Sequence, residues 1–194
     1  MHASESELAH KLIEIAQGSA WFMDALAAVR QLGLTQWCIG AGAVRSLVWD
    51  SLHGKLSPSN LSDVDVAYFD PDDVSTERDQ RLQDRLQALR PSVPWEVTNQ
   101  AGVHHWFEGY FGHAVAPLTS LHEAVASWPE FATAVGISLD DDNALRVIAP
   151  HGLEDLFAIT IRRNPTRVSI ETYRERVAQK RYAERWPLVR VVPC

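Results

Sequence analysis

With 194 residues, 46% of them hydrophobic, and seven Trp, the chain can bury one sizeable core. A formal charge of −7 disfavours broad nucleic-acid binding, which draws on a basic surface, and no apolar run approaches the roughly 20 residues of a membrane helix. The polar start MHASESELAHKL lacks the blocks of a signal peptide, so a cytoplasmic protein is expected; Cys38 and Cys194 form no redox or zinc spacing.

Apolar residues at helical spacing predict helices over 5–16 (Leu8, Leu12, Ile15) and 20–32 (Trp21, Leu26, Val29), stopped at Gly18 and Gly33. A short apolar strand, 37–40, runs into a helix over 42–53, and GKLSPSN is a loop. A strand follows at 63–69, then a turn and a charged amphipathic helix ended by Pro91, and WEVTN at 95–99 is a further strand. HHWFEGYFG reads as a helix broken at Gly109, and TSLHEAVASW opens with Ser120 and Glu123 at capping-box spacing. Segments 132–139 and 144–149 flank DDDN as a hairpin, and 169–185 predicts one last helix with Ser169 as its cap. The order implies an α+β fold with an α/β-like core, a small mixed sheet flanked by helices. It is expected as a single domain over 1–194, with N-terminal helices in 1–34 and a C-terminal helix and tail in 169–194.

Within SDVDVAYFD, Asp63 and Asp65 stand two apart, so on a strand both project to one side. Side by side, two carboxylates repel, and a divalent cation removes the penalty. Mg²⁺ takes one or two carboxylates plus phosphate oxygens, and Glu96 on a neighbouring strand is the natural third carboxylate. A solvated Asp-x-Asp at a strand edge is the plain alternative. Upstream, WCIGAGAVRSLVWD reads as strand, glycine turn and helix. Gly40 and Gly42 permit close backbone approach, the helix N-terminus offers N–H groups to an anion, and Arg45 lies one turn in. A dinucleotide fingerprint would place its third glycine at position 45, which is arginine, and its acidic residue at the end of the second strand rather than the start.

IGAGAVRSLVWDSLHG followed by SDVDVAYFD resembles the polymerase β-type nucleotidyltransferase superfamily, whose pattern is an apolar strand, a Gly-Gly or Gly-Ser turn, a helix, and a strand with Asp-x-Asp. The turn is similar to the GGxVRD of class II CCA-adding enzymes and poly(A) polymerases. More closely, the chain resembles a family of bacterial nucleotidyltransferase-like proteins through GAGAVRSLVWD, DVDVAYFD, WEVTNQAGVHHWF, ASWPEFATAVGISL, APHGLEDLF and a final helix ending in WP, over about residues 35–190.

That resemblance implies a polymerase β-type core and a transfer of a nucleoside monophosphate from an NTP to an acceptor hydroxyl, with pyrophosphate released. It implies Asp63 and Asp65 as ligands of Mg²⁺ (or Mn²⁺), with Glu96 as the third carboxylate, on a second metal or as base toward the acceptor. Gly40, Ala41 and Gly42 would frame the triphosphate beside Arg45. Two departures stand out: Ala41 replaces the second Gly or Ser of the turn, and the third carboxylate is Glu rather than the usual Asp. Lys180 and Arg176, four apart on one helical face, are candidates for phosphate contact. Asn99 and Gln100 fit either an acceptor contact or a turn cap. The expected partners are an NTP and an acceptor of unknown identity, with no membrane and no general nucleic-acid binding. The alternative is a non-catalytic nucleotide or metal binder of the same fold, a sensor or a toxin–antitoxin component.

Overall fold

The computed structural model describes residues 4–194. In chain order its elements are α1 (Glu5–Gln17), α2 (Ala20–Arg30), β1 (Trp37–Gly40), α3 (Ala41–Leu52), β2 (Val64–Tyr68), α4 (Thr76–Leu89), β3 (Trp95–Asn99) and α5 (His104–Phe111). There follow α6 (Leu121–Ala126), β4 (Gly136–Leu139), β5 (Leu145–Ile148), α7 (Glu154–Phe157), β6 (Thr160–Ile161), α8 (Ile170–Lys180), α9 (Tyr182–Arg185) and β7 (Arg190–Val191).

Five strands form a mixed sheet in the order β3-β2-β1-β4-β5. β1 runs antiparallel to β2 and to β4, and β2 runs parallel to β3. Parallel neighbours need a crossover connection, and the amphipathic α4 supplies it, burying Leu82 and Leu86. Period-2 alternation sorts the two faces. Val64, Val66, Tyr68, Trp95 and Val97 join the main core with Leu12, Phe22, Leu26 and Trp49. The other face carries smaller and polar residues. There Cys38 pairs with Ala67 in register, and both pack under α6 through Leu121, Ala124 and Val125. α6 covers only part of this face, so the positions of Asp65 and Glu96 stay open.

α1 starts as a reciprocal capping box, Ser4 with Glu7, and α8 starts at Ser169, whose hydroxyl accepts from the Thr172 N–H. Four expectations are corrected. The last helix is not continuous: Arg181 sits at φ 48° and splits it into α8 and α9. The break turns Tyr182 and Trp186 inward to bury fully against Trp49. α5 runs through Gly109 unbroken and ends at Gly112 (φ 74°), since one glycine costs a helix only about 1 kcal/mol. The strand expected from residue 132 starts at Gly136, because Phe131–Thr133 form a 3-10 turn around the buried Glu130. Asp63 lies just outside β2, in the loop that enters it. No single described helix is long and apolar enough to cross a membrane.

Candidate active site

Parallel pairing of β2 and β3 sets Asp65 opposite Glu96 in register, with both side chains on the open face. Asp63 arrives from the preceding loop, where its carboxylate accepts from the Ser62 hydroxyl at 2.9 Å. Burial, reinforced by the charges of Asp63 and Glu96, pushes the Asp65 carboxyl up to about 7; Lys180 and Arg176 pull against that rise. An acidic wall therefore sits at the sheet edge with only partial compensation.

α3 begins beside this wall. Gly40, in extended conformation, serves as its N-cap, and Ala41 follows at φ 50°, its N–H donating to the Val135 carbonyl at 3.2 Å. The two glycines differ in purpose. A Cβ on Gly40 would meet the Trp128 ring at 2.4 Å and the Val135 carbonyl at 2.9 Å, so Gly40 makes the seat on which Trp128 packs. A Cβ on Gly42 would meet only Arg45 Nη2 at 3.7 Å and Asp63 Oδ1 at 3.8 Å, ordinary contact distances. Gly42 thus stands between a cation and a carboxylate.

Arg45 is the most unusual cation in the molecule. It is 4% exposed, and its guanidinium lies 5.0 Å from the Trp186 ring, 5.2 Å from Tyr182 and 5.7 Å from Trp49. Its Nη2 donates weakly to Ser46 at 3.4 Å, while its Nε is buried with no hydrogen-bond partner among the described residues. Burial lowers its pKa, and neighbouring Tyr182 and Glu130 oppose the drop; arginine remains charged throughout. Desolvated cation–π contact is worth roughly 2 kcal/mol, which helps hold a charge that no carboxylate touches. Arg45 lines a cavity of about 320 Å³ with Gly42, Ser62, Asp63, Lys180 and Arg185. A second cavity, of about 200 Å³, is lined by Ala41, Asp65, Glu96, Thr98, Gln100, Trp128 and Arg176.

Two buried carboxylates hold the walls in place. Glu130 is fully buried; it accepts from Arg176 Nε at 2.9 Å, Arg176 Nη2 at 3.3 Å, Thr133 at 2.8 Å and Tyr182 at 3.5 Å. Asp50, on α3, accepts from the Ser59 N–H at 2.6 Å, the Ser59 hydroxyl at 2.7 Å and the Trp186 indole at 2.8 Å, and pairs with Lys55 at 3.0 Å. Burial alone would raise the Asp50 pKa, but these bonds outweigh it and hold the group below its ordinary value. Asp50 thereby fixes the 53–60 loop and Trp186, which closes the cage over Arg45.

Of the residues singled out in the sequence, the structure brings Gly42, Arg45, Asp63 and Lys180 to one cavity, and Ala41, Asp65 and Glu96 to its neighbour. Arg176 and Lys180 line different cavities despite their shared helical face. Asn99 is structural: it is buried, donates to the carbonyls of Asp70 and Asp73, and caps the turn at Gln100–Gly102. Gln100 faces the second cavity. Sequence reasoning missed Trp128 and the Tyr182–Trp186 cage, although the WP that ends the last helix marked the spot.

Among the described residues, no three His, Cys, Asp or Glu side chains converge as a ready set of metal ligands. The donor chemistry nevertheless suits Mg²⁺, which needs only one or two carboxylates and draws its remaining oxygens from phosphates and water. A carboxyl driven up to about 7 by burial beside two like charges is a group that a bound cation would relieve.

No curated protein matches the chain. A solved structure described as a CCA-adding enzyme head domain matches at 30% identity, with a TM-score of 0.81, covering 95% of this chain and 96% of that one. A CCA-adding enzyme in complex with CTP shares the fold at 12% identity, with a TM-score of 0.52; the match covers 99% of this chain but 44% of that larger one. The apo form of a CCA-adding enzyme matches in the same way, at 13% identity and a TM-score of 0.51, over 88% of this chain and 38% of that one. The profile of a family described as nucleotidyltransferase matches residues 27–191, which take in β1, the α3 turn, the acidic pair and both cavities. The chain belongs to this nucleotidyltransferase family.

Proposed function

We propose that the protein is a metal-dependent nucleotidyltransferase that moves a nucleoside monophosphate from an NTP to an acceptor hydroxyl and releases pyrophosphate. The observation that carries the reading is the Arg45 cavity: a cage of three rings holds a guanidinium with no carboxylate partner among the described residues, next to Asp63 and across Gly42. A buried cation without a counter-ion is costly unless a ligand supplies the anion. Three cations, Arg45, Lys180 and Arg185, line a space suited to a triphosphate. The CCA-adding enzyme of similar fold that holds CTP supports an NTP as donor.

In this reading, Arg45, Lys180 and Arg185 bind and orient the triphosphate, with the Gly42 backbone close to it. Asp63 and Asp65 hold Mg²⁺ or Mn²⁺, and Glu96 is the third carboxylate. The ion, when bound, neutralises charge on the phosphates and the attacking oxygen. Glu96 stands opposite Asp65 and receives the acceptor's hydroxyl proton. The rate gain comes from in-line positioning and fixed charge rather than from a covalent intermediate.

Calorimetric titration with each of the four NTPs, with and without Mg²⁺, on wild type and Asp65→Asn, tests the proposal. The expected result is nucleotide binding by wild type that depends on metal and is lost in the variant. Binding of no nucleotide under any condition would end the enzyme reading. Tight metal-dependent binding with no pyrophosphate release across acceptors would favour the non-catalytic alternative.

A further inference from the structure

The second cavity differs from the first in size, charge and wall material. Its volume is about 200 Å³, and its polar lining is Asp65, Glu96, Thr98, Gln100 and Arg176, closed on one side by Trp128. Arg176 is the sole cation in this lining. Its guanidinium is locked: Nε and Nη2 both bond to a fully buried Glu130, leaving Nη1 without a hydrogen bond among the described residues. A planar fork held this rigidly presents its remaining N–H groups in fixed directions at little entropic cost.

We propose that this cavity takes the acceptor, and that the acceptor is a small hydroxylated acid, a carboxylate or phosphate monoester bound by its anion at Arg176. The inference rests on the nucleotidyltransferase reading. Size argues first. At about 200 Å³ the space lies below the 300–1,000 Å³ of ordinary ligand sites and suits a compound of a few carbons. Charge argues second. A single-stranded nucleic acid needs a basic groove to follow its backbone, and one cation makes no groove. With a divalent ion on the aspartates, the lining keeps one carboxylate, Glu96, and one guanidinium, Arg176, whose free N–H groups are the donors that select an acid over a neutral alcohol. Thr98 and Gln100 supply neutral hydrogen-bonding groups for further hydroxyls, and the Trp128 ring gives an apolar floor for the carbons.

In the transfer, the acceptor oxygen forms a bond to the α-phosphorus as the bond from that phosphorus to the β-bridging oxygen breaks. Pyrophosphate leaves with the electron pair, and the hydroxyl proton passes to Glu96. Arg176 is a binding residue in this step and touches the acceptor at a group remote from the attacking oxygen.

The test follows the Trp128 indole N–H resonance of the full chain in Mg²⁺, assigned with Trp128→Phe. It is titrated in turn with D-glycerate, glycerol 3-phosphate, glycerol and a six-nucleotide oligoribonucleotide. Calorimetry of Mg²⁺–NTP binding is run on the same samples. The expected outcome is that at least one acid moves the resonance with a midpoint tenfold or more below that of glycerol. The preference should vanish in Glu130→Gln/Arg176→Gln, which keeps neutral hydrogen-bonding groups in the buried pair. Gln100→Leu, away from that pair, should weaken binding of the acid several-fold with the fold intact. Equal midpoints for glycerol and the acids, tighter binding of the oligoribonucleotide, or no response to any probe while NTP still binds would overturn the inference alone. Acid binding without any NTP binding would sink the nucleotidyltransferase reading and with it the acceptor role.

Discussion

Arg45 reaches its cavity from α3 through three aromatic rings, with no carboxylate in contact among the described residues, whereas Arg176 reaches the neighbouring cavity from α8 with a fully buried Glu130 on its fork. One arginine keeps its whole charge for a ligand. The other stays charged but shares its field with a partner, and gains a fixed direction. Rings stabilise a guanidinium without neutralising it, whereas a buried carboxylate orients the guanidinium and screens it. The two arginines therefore fit their cavities to different ligands. Unscreened charge suits a polyanion, and a few N–H groups in fixed directions suit one anionic group on a small molecule.

The largest effect should come from Asp65, the carboxylate that lines the second cavity. Asp65→Asn is expected to reduce turnover by at least about a hundredfold, as for other groups that stabilise transition-state charge, read as pyrophosphate release. The same variant carries a stability signature of opposite sign. A carboxyl raised from 3.8 to about 7 binds its proton more tightly in the folded state. Without metal, its contribution is best below pH 4 and declines as pH climbs toward 7. Metal-free wild type should therefore lose thermal stability between pH 4 and pH 8, and Asp65→Asn should recover part of that loss. The ceiling is about 4 kcal/mol, and water access to the site should reduce it to roughly 1–2 kcal/mol. Mg²⁺ should restore wild type at pH 8 and leave the variant unmoved. A flat metal-free profile would mean that the acidic wall is better solvated than its burial suggests.

Next in size is the lock on Arg176. Glu130→Ala removes the fork, the Thr133 bond and the Tyr182 contact at once. Breaking one partner of a buried pair costs about 3–5 kcal/mol; Arg176 keeps some exposure, so about 3 kcal/mol is expected, a fall of roughly 6–12 °C in Tm. Chemical denaturation monitored by tryptophan fluorescence would read it. Arg45→Met tests the other strategy. Methionine fills the cage, and no carboxylate is left unpaired, so the fold should hold within about 1 kcal/mol. NTP affinity should nonetheless fall by about tenfold or more, near 1.4 kcal/mol. Equal losses of stability in the two variants would erase the contrast between the cavities.

The contrast was only half legible in the sequence. Alternation in VDVAY and WEVTN set Asp65 and Glu96 on one face, and Gly40–Arg45 followed by SDVDV marked the strand-turn-helix beside them. These are local periodicities, and local patterns survive folding. The pairing of Glu130 with Arg176 spans 46 residues, and no local signal links them. The break at Arg181 was invisible for a related reason. Helical spacing continues through the segment, but burying Tyr182 and Trp186 around Arg45 outweighs an uninterrupted helix. Gly40 was read as room for a ligand, yet its missing side chain is filled by Trp128, which stands 88 positions later in the sequence.

The smallest effect concerns the joint between the cavities. Ala41 lines one and Gly42 the other, and Ala41 holds a backbone conformation that L residues disfavour, at φ 50°. Such a conformation costs alanine about 1–2 kcal/mol, and glycine avoids it while losing more chain entropy on folding. Ala41→Gly should therefore stabilise the protein by up to about 1 kcal/mol, a rise of roughly 2–4 °C in Tm. Ala41 lines the acceptor-side cavity and not the Arg45 cavity, so NTP affinity should stay within twofold in calorimetry. Any change in selection should appear in the titration of the Trp128 resonance by acids. If NTP affinity moved instead, the α3 turn would have to act as one unit on both cavities, with Ala41 conformation coupled to Gly42 and Arg45. If neither moved while Tm rose, the turn would be a strained but passive divider, and the two arginines would set the selectivity of each side independently.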